Sequence, residues 1–191
     1  KFLTHPGAET GAVYSALLAG ARQAAEEEPA TGLHWLFLTR EESEFLAGES
    51  VPTRHTHQFQ WVNDGYTSFD QFLERFRSKR RAQIRRERRA VREAGIEIAA
   101  VRGDKAAEAE RDAAWRFYTQ TVDRFTWGRR YLNRGFFDAL FDVQGHRILL
   151  LFARQRGEII AGTFNMVNDG IFYGRYWGCD THVRFLHFEL C

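Results

Sequence analysis

The stretch 69-FDQFLERFRSKRRAQIRRERRAVREA-94 combines a helical pattern with a very uneven distribution of charge. Its apolar residues recur close to the helical period, which predicts a helix with one narrow apolar stripe. Those residues are Phe69, Phe72, Leu73, Phe76, Ile84 and Val91. Between Arg75 and Arg92 there are ten Lys or Arg residues and one acid, a local net charge of +9 in a chain whose total is only +2. The rest of the chain therefore sums to −7.

Like charges lie one helical turn apart along this segment, and each such pair costs roughly 0.2–0.5 kcal/mol. The repulsion requires compensation from the apolar stripe, from acids elsewhere in the fold, or from an anionic ligand. The segregation of charge favours a ligand, since an ordinary solvated helix face mixes both signs. We therefore predict an anion-binding face made of Arg81, Arg85, Arg88 and Arg92. A plain solvated face and pairing with the acidic remainder stay open as alternatives.

Composition indicates a soluble globular chain, since 44% of its 191 residues are hydrophobic and 27% are charged. This length suits one well-buried domain or parts of two. The two cysteines, Cys179 and Cys191, form no CxxC pair, which argues against a disulfide framework or a zinc site. No apolar run has the length of a membrane span, and we expect a cytoplasmic protein.

The N-terminal third is predicted to contain a helix over residues 9–28 and two strands, Leu33 to Leu38 and Arg54 to Val62. On the second strand His55 and His57 share a face with two aromatic residues. We expect these histidines to be partly buried and hydrogen-bonded rather than metal ligands, because no third ligand lies at a suggestive spacing. No metal site is predicted.

After Gly95 the pattern predicts a strand over Ile96 to Val101, a long helix opened by Gly103 and Asp104, and a second helix with phenylalanines inward. Three antiparallel strands are expected next, joined at the turns QRG and NDG. They are Arg147 to Arg154, Glu158 to Val167 and Ile171 to Trp177, and another helix is expected to begin at Phe185. This order is similar to that of a GNAT acyltransferase domain from its first long strand onwards.

Four segments carry a more specific resemblance, to the FemAB-like family of bacterial GNAT-fold proteins of the peptidoglycan biosynthesis or recognition type. They are SKRRAQIRRERRAVREAGIEI (78–98), WGRRYLNRGFFDAL (127–140), ILLLFARQRGEIIAGTFNMV (148–167) and FYGRYWGCDTHVRFLHFELC (172–191). The resemblance implies an α/β (α+β) GNAT-like acyltransferase fold, with a mixed, mostly antiparallel sheet and flanking helices. It also implies two GNAT-like halves and, in the best understood branch, transfer of amino acids from aminoacyl-tRNA to peptidoglycan precursors.

The same resemblance suggests a division of the chain. Residues 1–66 resemble the latter part of a first GNAT-like half, residues 67–95 form a basic linking helix, and residues 96–191 form a second half that is incomplete at its C-terminus. Since the chain starts at Lys1 and ends within an apolar run, we expect an internal piece of a longer protein. GCDTHVRF (178–185) replaces the Gly-rich turn that holds coenzyme A in ordinary GNAT enzymes. This departure argues against acyl-CoA as donor, and aminoacyl-tRNA stays as the other candidate.

The last predicted strand offers candidate substrate contacts. Alternation places Tyr173, Arg175 and Trp177 on one face, so that a guanidinium lies between two aromatic rings, with Gly174 and Gly178 allowing a ligand to approach. An ion pair between Arg175 and an acid such as Asp138 or Asp142 is the open alternative. The full predicted substrate-binding set is Arg175, Tyr176, Trp177, Tyr173 and Trp127.

Transfer of an acyl group to an amine requires a base and donors for the developing oxyanion. We consider His187, Glu189 and Asp180 as candidate catalytic residues, with helix capping or core packing as the alternative for His187. The resulting hypothesis is a transferase that moves an aminoacyl or acyl group from a phosphate-rich donor, tRNA or a CoA-type molecule, to an amine acceptor. The alternative hypothesis is a module that binds a polyanion, such as nucleic acid or an anionic surface, without catalysis.

Overall fold

The computed structural model describes residues 1–28, 30–57, 59–125 and 130–191. The chain divides into two compact units, Lys1–Asp64 and Gly65–Cys191. Each unit has its own hydrophobic core, and the candidate catalytic and substrate-binding residues that are described all lie in the second.

The first unit contains two helices, α1 (Thr10–Glu27) and α2 (Arg40–Gly48). A capping box begins α2, because the Thr39 side chain accepts a hydrogen bond from the Glu42 backbone while the Glu42 carboxylate accepts one from the Thr39 backbone. The other Glu42 oxygen accepts from the Phe2 backbone N–H at 2.8 Å. The core of this unit is formed by Phe2, Tyr14, Leu18 and Leu46.

Neither strand predicted for the first unit forms in its described residues. Trp35 and Leu38 pack against the core from irregular backbone, and Phe59 is 96% exposed. An isolated extended segment has no neighbouring strand to pair its backbone groups, so alternation alone does not create a sheet. The expectation that His55 and His57 are partly buried is also wrong, because both side chains are exposed.

The basic segment opens the second unit as two helices, α3 (Phe69–Glu74) and α4 (Ser78–Glu93), rather than as one continuous helix. The Ser68 side chain caps α3. At the break, Arg81 donates a hydrogen bond to the Phe76 carbonyl at 2.7 Å and so satisfies an acceptor that no helix uses. Gly95 follows α4 with a φ of +70°, as expected for a residue that ends a helix in the left-handed region.

Four antiparallel strands form one sheet in the order β1-β2-β3-β4. Their bounds are β1 (Ile96–Arg102), β2 (Ile148–Gln155), β3 (Glu158–Asn168) and β4 (Ile171–Cys179). The predicted meander is therefore confirmed. Both of its turns place two consecutive residues at positive φ, Arg156 with Gly157 and Asp169 with Gly170, which is the geometry that suits the twist of a tight hairpin.

Helices cover both faces of the sheet. Between β1 and β2 lie α5 (Glu108–Asp123) and α6 (Arg134–Gln144), preceded by a short 3₁₀ turn at Gly103–Lys105 where a helix start was predicted. After β4, the helix α7 (Leu186–Leu190) begins, as predicted. Among the described helices, none is both long and apolar enough to cross a membrane.

The two faces of the sheet are named here after the helix that packs on each. The α5 face carries Ile148, Leu150, Phe152, Phe164 and Tyr176, which pack with residues of α5 and α6. The α7 face carries Leu151, Ala153, Ala161, Trp177 and Cys179, which pack with Val91 of α4 and with Leu186 and Leu190 of α7. The last strand therefore presents side chains to two separate hydrophobic clusters.

Candidate functional site

A β-bulge interrupts β4 at Arg175. Phe164 pairs with Tyr176, and the next residue of β3, Asn165, pairs with Gly174, so that Arg175 is one extra residue on β4. An extra residue bends a strand and changes the direction of the side chains that follow it, and such bulges are common beside active sites.

The bulge overturns one prediction about this strand. Tyr173 pairs with Met166, which packs on the α5 face, whereas Trp177 pairs with Thr163 and packs on the α7 face. The prediction that the odd-numbered residues Tyr173 to Trp177 share one face is therefore wrong. Successive side chains alternate between the two faces only while each residue of β4 pairs with one residue of β3. The bulge inserts an unpaired residue into β4, so the residues before and after it no longer follow the same alternation.

The guanidinium of Arg175 is exposed and lies over the Tyr176 ring, with its central carbon 5.5 Å from the ring centroid. The acids considered as its partners, Asp138 and Asp142, are bound by other arginines. Within the described part of the chain, Arg175 forms no ion pair. Its charge is therefore open to an anionic ligand, for which a guanidinium offers a planar pair of donors.

Tyr176 shares a hydrogen bond with Tyr131, whose hydroxyl oxygen lies 2.8 Å from its own. The pKa of Tyr176 is raised to about 12, chiefly by burial and next by the hydrogen bond with Tyr131, while the nearby Arg175 acts in the opposite direction. Tyr176 is thus neutral at physiological pH, and its phenol can act as a hydrogen-bond donor. The sequence-based site missed Tyr131, although it lies in the quoted motif WGRRYLN; Trp127 of that motif lies outside the described residues.

On the α7 face, the exposed imidazole of His187 contacts Trp177. The ring centroids are 5.0 Å apart and the rings are nearly perpendicular, at 85°. The residue before α7, Phe185, has a φ of +69°, which is uncommon for a residue other than glycine and occurs often near functional sites. This arrangement holds an accessible base beside the C-terminal part of β4.

The other two candidate catalytic residues are bound by arginines on different elements. Glu189 accepts hydrogen bonds from Arg88 Nε of α4 at 2.8 and 2.9 Å. Asp180 accepts hydrogen bonds from Arg116 at 2.9 Å and from Gln120 at 2.7 Å, both on α5. The carboxylates of Glu189 and Asp180 therefore have separate sets of neighbours, whereas the imidazole of His187 forms no ion pair with the described residues.

Two polar side chains of β3, Thr163 and Asn165, are buried on the α7 face, where they are 4% and 3% exposed. Asn165 Nδ2 donates to Thr163 Oγ1 at 2.7 Å and to the Leu149 carbonyl at 2.9 Å. The sequence-based site missed this pair. Its signal was the alternation in 163-TFNM-166, which sets two polar residues on one face of an otherwise apolar strand.

The two glycines of β4 have different surroundings. A Cβ atom added to Gly178 would lie 2.5 Å from Cβ of Phe117, so this glycine is needed for the close packing of α5 on the sheet. A Cβ atom added to Gly174 would meet only Asn165 Oδ1, at 3.8 Å. The expectation that both glycines admit a ligand is therefore wrong for Gly178, whereas Gly174 does leave open space.

Three of the four arginines predicted to bind an anion contact groups of this chain. Arg81 binds the Phe76 carbonyl, Arg85 lies 3.0 Å from Asp70, and Arg88 binds Glu189 while stacking on a phenylalanine ring. Arg92 is exposed. It continues a row of exposed arginines at a spacing of three residues, which consists of Arg86, Arg89 and Arg92. In the described ranges these three make no ion pair, so they form the free basic row of α4.

Comparison with known proteins identifies one family. The model of a FemAB-like family, described as peptidoglycan biosynthesis/recognition, matches residues 1–191, the whole chain. The match therefore includes both compact units. No curated protein matches the chain.

Proposed function

The chain belongs to the FemAB-like family of peptidoglycan biosynthesis and recognition proteins, and from this membership we propose that it is a transferase that moves an aminoacyl or acyl group to an amine acceptor of a cell-wall precursor. The order of elements in the second unit supports a GNAT-like fold for residues 96–191: a strand, two helices, three antiparallel strands and a helix. Residues 1–66 would then be the latter part of a first GNAT-like half. Aminoacyl-tRNA and acyl-CoA are the two proposed donors.

The accessible imidazole of His187, held against Trp177, is the observation that carries this proposal. Of the three candidate bases, it is the one whose titratable group is not paired with an arginine. In the proposed reaction the amine nitrogen attacks the carbonyl carbon of the donor, and His187 accepts the proton that the nitrogen loses. The C–N bond forms, the ester or thioester bond breaks, and the leaving oxygen or sulfur takes up a proton.

In this proposal the bulge residue Arg175 binds an anionic group of the donor or acceptor. The hydroxyl pair of Tyr131 and Tyr176 lies beside it and adds a hydrogen-bond donor. Guanidinium and phenol together suit a carboxylate or phosphate, since each N–H or O–H donates to an anionic oxygen. Binding energy at this point would orient the substrate without taking part in the proton transfer.

A transfer assay with the full chain tests the proposal. Aminoacyl-tRNA and acyl-CoA serve as donors and a UDP-linked muropeptide as acceptor. We expect His187→Gln to lower the rate of transfer about 10²–10⁴-fold, the range typical for loss of a general base, with little change in melting temperature because the ring is exposed. His182→Gln, which changes another exposed histidine, is the matched control. Wild-type turnover in His187→Gln would remove His187 from the reaction.

The free basic row of α4 favours a second candidate function, the binding of a polyanion. Arg86, Arg89 and Arg92 project from one helix face without ion pairs to the described residues. Repulsion between such neighbours is relieved when they bind phosphates, which also releases counterions. This function is compatible with a transferase whose donor is tRNA.

A further inference from the structure

The side-chain oxygen of Asn165 retains contact with solvent, whereas its amide nitrogen is fully used in hydrogen bonds. Both amide hydrogens are used, one by Thr163 Oγ1 and one by the Leu149 carbonyl, which fixes the orientation of the amide. No described residue donates to Oδ1, although Asn165 is only 3% exposed. A polar atom that has no partner within the protein is satisfied by water or by a bound ligand. Asn165 Oδ1 is therefore an acceptor of fixed orientation that can receive a hydrogen bond from water or from a ligand.

Open space lies directly beside this oxygen. Asn165 pairs with Gly174 across the sheet, immediately before the bulge residue Arg175. An added Cβ atom at Gly174 would have Asn165 Oδ1 as its one neighbour within 4 Å. The φ of Gly174 is not in the left-handed region, so the backbone does not require glycine there. Gly174 is therefore notable for the open space beside it, and not for a backbone conformation that only glycine adopts.

The same face carries the proposed base. Thr163, which holds the Asn165 amide, pairs with Trp177, and the Trp177 ring contacts His187. Asn165 Oδ1 and the imidazole therefore belong to one side of β3 and β4. A hydrogen-bond acceptor on the face of the base suits a substrate nitrogen, because it aligns an N–H group and rejects groups that only accept.

We propose that Asn165 Oδ1 accepts a hydrogen bond from a substrate N–H group that lies over Gly174. Asn165 is then a positioning residue for the transfer, and this inference rests on the proposed function. The N–H group has two sources, the amine of the acceptor or an amide or amine of the donor. Thr163 supports the site by holding Asn165, so that the oxygen, and not the amide nitrogen, faces the substrate.

The substitution Gly174→Ala tests the site, because a methyl group would occupy the space over Asn165 Oδ1 at ordinary contact distance. We expect an unchanged or slightly higher melting temperature and a KM for one substrate that rises at least tenfold, while kcat falls much less. A higher KM for the muropeptide identifies the acceptor amine, and a higher KM for aminoacyl-tRNA or acyl-CoA identifies the donor. Gly20→Ala, at another glycine with free space, is the matched control. Unchanged KM values for both substrates overturn the inference.

A binding measurement separates this inference from the proposed transferase function. In the ¹⁵N-labelled full chain, the Asn165 side-chain amide resonances are followed by NMR during titration with the UDP-linked muropeptide, acyl-CoA or aminoacyl-tRNA. We expect one of them to shift these resonances in the wild type and in Gly20→Ala but not in Gly174→Ala. If no transfer occurs yet this pattern is seen, the transferase proposal fails and the N–H site stands. If none of the three shifts the resonances, the site is overturned even where transfer is observed.

Discussion

Gly174 and Gly178 lie four residues apart on β4 and should respond in opposite ways to the same added methyl group. At Gly178 the methyl group would overlap with Cβ and the backbone of Phe117, so α5 would have to move away from the sheet. We expect Gly178→Ala to lower the free energy of unfolding by about 1–3 kcal/mol, as is typical of overpacking. Gly174→Ala should not lower it. Urea denaturation of both variants checks this pair, and equal destabilisation would contradict it.

The phenol of Tyr176 should make stability depend on alkaline pH. Because its pKa is raised from 10.0 to about 12 in the folded chain, the unfolded chain loses this proton first as pH rises. Its contribution to stability is therefore fully present below about pH 10 and is lost as pH rises through about 12. Tyr176→Phe should remove this part of the pH dependence, which denaturation at several alkaline pH values measures.

Tyr131→Phe should lower the pKa of Tyr176 only in part, since burial is the larger cause of the shift and remains in the variant. Tyrosinate absorbance followed during alkaline titration measures this change. A titration of Tyr176 identical to that of the wild type would show that the hydrogen bond to Tyr131 has no effect.

A partly buried ion pair joins α4 to α7 in addition to their apolar contacts. The side chains of Arg88 and Glu189 are 36% and 13% exposed, and the Arg88 guanidinium also stacks on Phe69 at 4.2 Å. We expect Glu189→Gln to lower the free energy of unfolding by about 1–2 kcal/mol. This lies between the values typical of surface ion pairs and of fully buried ion pairs. Asp70→Asn is the control. The side chains of Arg85 and Asp70 are 55% and 78% exposed, so their ion pair should contribute less to stability. Thermal unfolding that ranks the two variants in the reverse order would contradict this.

The free basic row of α4 should dominate any binding of RNA by this helix. Replacing Arg86, Arg89 and Arg92 together by Gln removes three phosphate contacts, so the log–log dependence of affinity on salt should flatten by about 2 for single-stranded RNA. The control replaces three exposed arginines of the first unit, Arg22, Arg40 and Arg54, with the same change in net charge. Fluorescence anisotropy with an RNA oligonucleotide measures both slopes. Equal slopes would assign the binding to net charge alone.

The two compact units should unfold as separable cores. Leu18 is buried in the first unit and Leu150 in the second, and each belongs to a cluster within its own unit. Replacing either leucine by alanine should lower the free energy of unfolding of the unit that contains it by about 2–5 kcal/mol. Calorimetry should show two unfolding transitions. Leu18→Ala should lower the melting temperature of one of them, and Leu150→Ala that of the other. A single transition shifted equally by both variants would show one cooperative unit.

Local patterns in the sequence predicted much of the second unit. The apolar spacing of α5 and α6, the meander of β2, β3 and β4, and the start of α7 all follow from interactions between residues close in the chain. The turns at Arg156–Gly157 and Asp169–Gly170 were predictable for the same reason, because the choice of turn depends on two residues and on the twist of adjacent strands. The motifs of the quoted segments also predicted the family, which the match over the whole chain confirms.

Contacts between residues far apart in the chain account for what the sequence did not predict. The bulge at Arg175 exists because β3 pairs with β4 in a register that alternation within β4 cannot reveal, and it separates Tyr173 from Trp177. The ion pair of Arg88 depends on Glu189, and the need for Gly178 depends on Phe117. The absence of a strand at Phe59 likewise reflects the lack of a neighbouring strand in the described residues. The neighbours of a side chain depend on tertiary packing. Packing brings together segments that are far apart in the chain, and local sequence patterns do not show which segments these are.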